Sequence, residues 1–283
     1  MDRILERRCV VFMSDFGLSD GAVSAMHGVV DSVDQTLKIE DLTHEIPQFN
    51  IWEASYRLIQ ALTYWAPGTV FVCVVDPGVG SDRKSVVVKT TSGHYIVTPD
   101  NGTLTHVFRD IGIVERREIA ESINRLAGSD QSYTFQGRDV YAYTGARLAS
   151  GKISFEEVGP KLDLEVVQLD VQQPILEDGV LCGAIDILDT RYGSLWSNIP
   201  LALVKQARIS YGDVLDLEIR FRGRIVYGYQ VKFLKSFANA AVGEALIYLN
   251  SLLKLGIAIN QGNFASKYNI GTGEGWKITL SKI

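Results

Sequence analysis

Residues 10–20, VVFMSDFGLSD, form an apolar run that stops at a carboxylate and turns at once on glycine. The pattern returns in VFVCVVDPGVG at 70–80, which halts at Asp76, and in HYIVTPDNG at 94–102, which halts at Asp100. Short apolar runs of this kind read as strands buried on both faces, which is what a helix-covered parallel sheet requires. In open α/β sheets, ligands bind in the crevice outside the carboxyl ends of the strands. Three acids delivered to one rim point to a site for cationic or hydroxyl-rich small molecules.

The chain of 283 residues has room for two domains. Strand-like and helix-like pieces alternate through about residue 160. The segment IWEASYRLIQALTYWAPGTV carries a helical pattern through Trp65, a Pro67-Gly68 stop and then a strand. A second helix is expected from near Arg138 to Gly151. Beyond KLDLEVVQLD, short segments with alternating apolar residues take over: GVLCGAIDILD, SLWSNIP, DVLDLEIRF, RIVYGYQVKFL, EALIYLNS, LKLGIAINQ and WKITL. The expectation is therefore an N-terminal α/β domain, residues 1–166, with a mostly parallel sheet flanked by helices. An all-β, barrel-like C-terminal domain, residues 174–283, follows, built as an antiparallel sandwich or barrel.

Composition narrows the function. A net charge of −5 with scattered basic residues argues against a nucleic-acid partner. The longest apolar runs are far too short to span a membrane, and MDRILERRCVVF has no secretory hydrophobic region. Cys9, Cys73 and Cys182 read as reduced core thiols of a cytoplasmic protein. No Cys/His cluster has metal-ligand spacing, so no metal is expected.

Several residues could carry chemistry. Asp15 and Asp20 flank a glycine turn; each could cap free backbone N–H groups, or the pair could grip a ribose diol and an ammonium. Asp76 and Arg83 could form an ion pair that pins a loop, or a pair that holds a water, with Asp76 the only plausible base of the two. TPDNG reads most simply as a turn around Asn101-Gly102, which leaves Asp100 little part in binding. Phe135, Gln136 and Gly137 stand at the mouth of the expected second helix, where N–H donors are unpaired. His27, His44, His94 and His106 read as surface or satisfied core imidazoles. Tyr192, Ser194 and Trp196 alternate on one strand, with Phe237, Asn250 and Ser251 further on. Such a stripe is either core or a wall that accepts an adenine or a cation.

Taken in order, MSDFG, DLTHEIPQFN, PGTVFVCVVDPGVGSDRKS, TPDNGTLT, TFQGRDV, YGSLWSNI and IYLNS with AINQGN span nearly the whole chain. Together they resemble the S-adenosyl-L-methionine (SAM) hydroxide adenosyltransferases, relatives of the fluorinating and chlorinating adenosyltransferases. The resemblance implies hydrolysis of SAM, as substrate and without a cofactor, to adenosine and L-methionine. It also implies homotrimers whose sites lie between one subunit's N-terminal domain and a neighbour's C-terminal domain. By position it assigns Asp15 to the ribose hydroxyls, Asp20 to the methionine ammonium and Phe49 to an aromatic cover. Asp76 and Arg83 match two members of an Asp–Arg–His triad, and Phe135 and Gly137 sit beside the reacting carbon. Tyr192, Ser194, Trp196 and Phe237 match the adenine- and methionine-facing wall, with Asn250 and Ser251 near the amino-acid end.

Two positions depart from the family pattern. Gln136 replaces the triad histidine; it can orient a water or Asp76 but cannot exchange a proton near neutral pH. Ser194 replaces an asparagine able to make two bonds to adenine. Both changes bear on turnover more than on SAM binding. The rival readings are a SAM- or adenosine-binding protein with weakened catalysis and a halide-using adenosyl halogenase. The second is opposed by the Asp76 carboxylate, because halogenases carry a tyrosine there.

Overall fold

The computed structural model describes residues 9–273 and 275–283. The first eight residues of the stretch read for a secretory leader lie outside them. Two compact units divide between Leu169 and Asp170.

The first unit is built on β1 (Cys9–Ser14), β2 (Lys38–Thr43), β3 (Val70–Val74), β4 (Ser85–Thr90), β5 (Tyr95–Pro99), β6 (Ile113–Glu118) and β7 (Lys161–Leu162). The sheet order is β2-β1-β3-β5-β4-β6-β7. The first four strands in that order are mutually parallel, and the β5–β4, β4–β6 and β6–β7 pairs are antiparallel. The mostly parallel sheet expected from the sequence is thus present, extended by an antiparallel edge. Strands β3 and β5 are buried along their whole length and β1 nearly so, as continuous apolar runs demand.

Helices α1 (Ala22–Val33) and α2 (Ile51–Leu62) follow β1 and β2, and short α3 (Thr105–Asp110) and α4 (Glu121–Asn124) follow β5 and β6. Two apolar clusters form the core, one containing Phe12, Met26, Val30 and Tyr141, the other Leu58, Leu62, Phe71 and Ile96. Helix α2 ends at Leu62, and turns bonded from Tyr64 and Trp65 carry the chain to Pro67. The helix expected from Arg138 opens as a π-helical turn, Gly137–Ala142, before α5 (Tyr143–Ser150), and Gly151 closes it at φ 74°. π-Turns of this kind cluster at functional sites.

The second unit holds β8 (Ile175–Glu177), β9 (Val180–Leu188), β10 (Leu195–Pro200), β11 (Val214–Phe221), β12 (Arg224–Phe233), β13 (Ala245–Leu249), β14 (Lys254–Ile259) and β15 (Trp276–Lys282). The strands follow the order β10-β14-β13-β12-β11-β15-β9, and β9 pairs back with β10. The result is a closed barrel of seven strands, with β8 added on the outside of the ring's β9 edge. Closure removes every free edge of those seven. All the pairs are antiparallel except β12–β13. The seven closing strands are the seven segments whose alternation marks them in the sequence; inward residues such as Leu195, Leu217, Ile257 and Ile278 fill the core.

No helix among the described residues is long and apolar enough to cross a membrane. The three cysteines are free thiols: Cys73 is buried, Cys9 is half-buried and packs against the second core cluster, and Cys182 is half-buried, outside the core expected for it.

Candidate active site

Strand β3 is followed by Val75 and then Asp76, which starts a tight loop: Val79 N–H donates to the Asp76 carbonyl at 3.2 Å and Ser81 N–H to that of Gly78 at 3.0 Å. This loop returns Arg83 to Asp76. Arg83 Nε donates to Asp76 Oδ1 at 2.9 Å and a terminal nitrogen bonds Oδ2, a bidentate pair. The same terminal nitrogen bonds Gln136 Oε1, and the other reaches Ser85 Oγ at 3.0 Å. All three sequence-nominated residues meet, and the side chains of Asp76 and Arg83 are only 6% and 10% exposed.

The supporting layer is buried. Ser85 Oγ, having accepted from Arg83, lies 3.0 Å from the Tyr141 hydroxyl, whose ring stacks below the guanidinium at 5.7 Å. Burial, against the opposing pull of Arg83, pushes the Tyr141 pKa above its usual value, so the phenol stays neutral. Burial by itself would lower the Arg83 pKa; the Asp76 hydrogen bond and neighbouring negative charge outweigh it and raise it. The guanidinium is a fixed cation.

Asp76 and Gln136, both bonded to Arg83, line a cavity of about 260 Å³ whose walls also include Asp15, Phe16, Asp20, Phe49, Phe135 and Gly137. Asp15 Oδ2 accepts the Phe49 N–H at 2.8 Å, and Asp20 Oδ1 accepts the Ala22 N–H at 2.9 Å, so each also has the capping role open to it from the sequence. Phe49 lies at φ 65°, in the left-handed region, and the residue is 66% exposed. A non-glycine residue there costs roughly 1–2 kcal/mol, and such strain concentrates at ligand clamps. Gly137 packs closely: a Cβ there would stand 3.3 Å from side-chain carbons of Phe16 and Val74, which would have to give by a few tenths of an ångström.

The third strand-end acid is not part of this cavity. Asp100 Oδ2 accepts from Arg116 at 2.6 Å and Oδ1 from the Val167 N–H at 2.9 Å, in a buried structural tie. Two acids, not three, serve the rim at the strand ends, with Asp20 joining them from the following loop.

The nominated residues of the second unit line a cavity of their own, about 980 Å³, that includes Tyr192, Ser194, Trp196, Phe237, Asn250 and Ser251. The Asp189–Ser194 hairpin places Tyr192, Ser194 and Trp196, closed by the Asp189 N–H to the Ser194 carbonyl at 2.8 Å, and Phe237, Asn250 and Ser251 come from the segments either side of β13. Gly193 makes the turn at φ 64°, where any Cβ would fall 1.9 Å from Asn263 Oδ1. Trp196 Nε1 donates to the Tyr248 hydroxyl at 2.9 Å, and Phe237 packs on the Tyr248 ring at 5.0 Å. Asn250 Oδ1 accepts from the Leu252 and Lys254 N–H groups at 3.0 Å each, whereas its buried Nδ2 has no hydrogen-bond partner among the described residues.

Models of the SAM hydroxide adenosyltransferase N-terminal and C-terminal domains match residues 10–159 and 183–277. The chain belongs to that family. The (R)-S-adenosyl-L-methionine hydrolase of Methanocaldococcus jannaschii is 35% identical, over 81% of this chain and 80% of its own length. A fluorinase of Actinopolyspora mzabensis is 27% identical over 97% of this chain and 98% of its own. An uncharacterized conserved protein from Thermotoga maritima, known from its crystal structure, superposes with a TM-score of 0.86 at 33% identity, covering 96% of this chain and 99% of that one.

Among the residues that escape a reading of this family member's sequence are Phe16 and Tyr248, which line the cavities, and Ser85 and Tyr141, which support Arg83. Tyr248 had a signal, since it precedes the nominated Asn250 by two and shares its strand face. Ser85 and Tyr141 had none, because only the fold brings β4 and the π-turn together behind Arg83.

Proposed function

We propose that the protein hydrolyses SAM to adenosine and L-methionine through attack of water or hydroxide on C5′. The observation that carries this is the bonding of Arg83 to both Asp76 and Gln136, which line a cavity that Asp15 and Phe49 also line. The sulfonium is already a good leaving group, so the protein's task is to align nucleophile, carbon and sulfur and to exclude competing solvent. Each Asp76 oxygen bonded to Arg83 keeps a further lone pair, able to accept from a water and take its proton. Arg83 fixes that carboxylate and stabilises hydroxide-like charge. Asp15 and Asp20 would meet the ribose hydroxyls and the ammonium, and the Tyr192, Ser194, Trp196, Phe237, Asn250 and Ser251 wall the adenine and the amino-acid end. No cofactor takes part. Chromatography for adenosine after incubation with SAM, beside calorimetry of SAM binding, tests the reading: binding without turnover would make the protein a sensor. The Asp76 carboxylate would repel a halide nucleophile, which sets halogenation aside.

Gln136→His tests the departure from the family triad. The rate should rise about tenfold or more and acquire an ionisation that the parent lacks. A neutral imidazole is the proton acceptor, so rate climbs with pH; the adjacent Arg83 charge disfavours the imidazolium and places that limb below the usual histidine value. A pH–rate profile with neither change would mean that position 136 moves no proton.

The assembly proposed with this activity is a cytoplasmic homotrimer in which one subunit's N-terminal cavity and a neighbour's barrel wall share the substrate. Light scattering should return a mass of three chains, and a mass of one or two overturns the assembly.

A further inference from the structure

His27 and His44 converge on one carboxylate outside the cavities described above. Asp41 Oδ1 lies 2.9 Å from His27 Nε2 and 3.0 Å from His44 Nε2. The first contact is a hydrogen bond. The second lacks hydrogen-bond geometry, so His44 Nε2, on a side chain 1% exposed, has no hydrogen-bond partner despite the near carboxylate. The other edge of that ring is fixed, with Nδ1 bonded to Ser14 Oγ at 2.7 Å. A buried ring nitrogen against an anionic oxygen, out of line for a proton between them, is costly to leave without a positive charge.

We propose that His27, Asp41 and His44 bind a divalent transition-metal ion, with Zn²⁺ as the reference. Two imidazoles and a carboxylate are the borderline donors that suit such an ion. Zn–N and Zn–O bonds of about 2.0–2.2 Å at tetrahedral angles set ligand atoms roughly 3.3 Å apart, a few tenths of an ångström beyond the present contacts. All three ligand atoms lie within 4.8 Å of one another, so side-chain adjustment alone seats the ion. The Ser14–His44 bond is the kind of outer contact that fixes a ligating imidazole's tautomer and orientation. His27 and Asp41 are 32% and 38% exposed, which gives the ion a route from solvent and leaves its fourth position to water.

The sequence conceals the site because α1 supplies His27 while β2 and its following turn supply Asp41 and His44. It also adjoins the loop after β1. The His44 carbonyl accepts the Gly17 N–H at 2.8 Å, and Ser14 Oγ accepts the Phe16 N–H at 3.3 Å. A bound ion therefore braces both sides of the segment that carries Asp15 and Phe16.

The test is titration of the metal-free full chain with Co²⁺, followed by displacement with Zn²⁺. One equivalent should bind with the intense visible bands of a four-coordinate cobalt site. The surface variants His27→Gln and Asp41→Asn should each raise Kd about a hundredfold, and Ser14→Ala about tenfold. Zn²⁺ should slow hydrogen exchange at the Gly17 amide in the parent and not in the two ligand variants. Failure to bind below millimolar metal, or binding unchanged in both ligand variants, overturns the site. Exchange at Gly17 indifferent to Zn²⁺ overturns the bracing of the loop.

Discussion

Asp76→Ala should slow adenosine release from SAM by about a hundred- to a thousandfold, equivalent to roughly 3–4 kcal/mol of barrier. Removing one fixed electrostatic group that faces a developing charge has that scale. The effect should fall on turnover, with SAM binding by calorimetry changed little, because Asp76 would meet the nucleophile and not the nucleoside. Arg83→Ala should behave alike, since it deprives Asp76 of its bidentate partner and leaves Ser85 and Gln136 without their common donor. Asp76→Asn separates two roles. The amide keeps an oxygen for Arg83 but takes no proton at neutral pH. A rate as low as that of Asp76→Ala assigns Asp76 to proton acceptance; a rate near the parent's assigns it to positioning alone. Undiminished adenosine release from both alanine variants would end the case for this pair.

What the sequence discloses follows from where the information resides. Strands β1, β3 and β5 are legible because burial on both faces forces unbroken apolar runs, and the barrel strands because burial on one face forces alternation. Closure of the barrel depends on β9 meeting β10 as well as β15, a pairing that no local pattern encodes. The meeting of Asp76 with Arg83 is foreseeable, since a tight loop of seven positions joins them. Asp100 resembles Asp76 in sequence but lies outside the cavity. Both acids end a buried strand and both precede a glycine turn, yet Asp100 finds its arginine on β6, beyond β4 in the sheet. Which strand-end acid stays available to a ligand is decided by that non-local partner. The His27, Asp41 and His44 cluster is hidden for the same reason, and Tyr248 because an aromatic on a barrel strand is core by default.

The Asp100 tie makes the opposite prediction to the Asp76 pair. Arg116 donates to Asp100 Oδ2 at 2.6 Å, to Asp163 Oδ1 at 2.7 Å and to the Asp163 carbonyl at 2.9 Å. Arg116→Ala strands the Asp100 carboxylate, whose side chain is 6% exposed, and should destabilise the N-terminal unit by about 3–5 kcal/mol. For a unit of this size the melting transition should fall by roughly 10 °C. Most of the loss is the uncompensated buried charge and not the attraction of the pair, so Arg116→Met combined with Asp100→Leu should recover much of it. A double variant as unstable as Arg116→Met alone would show instead that the bonds to Asp163 and Val167 carry the stability. Per folded molecule, Arg116→Ala should release adenosine within about twofold of the parent rate, since neither residue lines the cavity. Two Asp–Arg pairs on neighbouring strand ends would then be told apart by measurement: one removed at the expense of rate, the other at the expense of the fold.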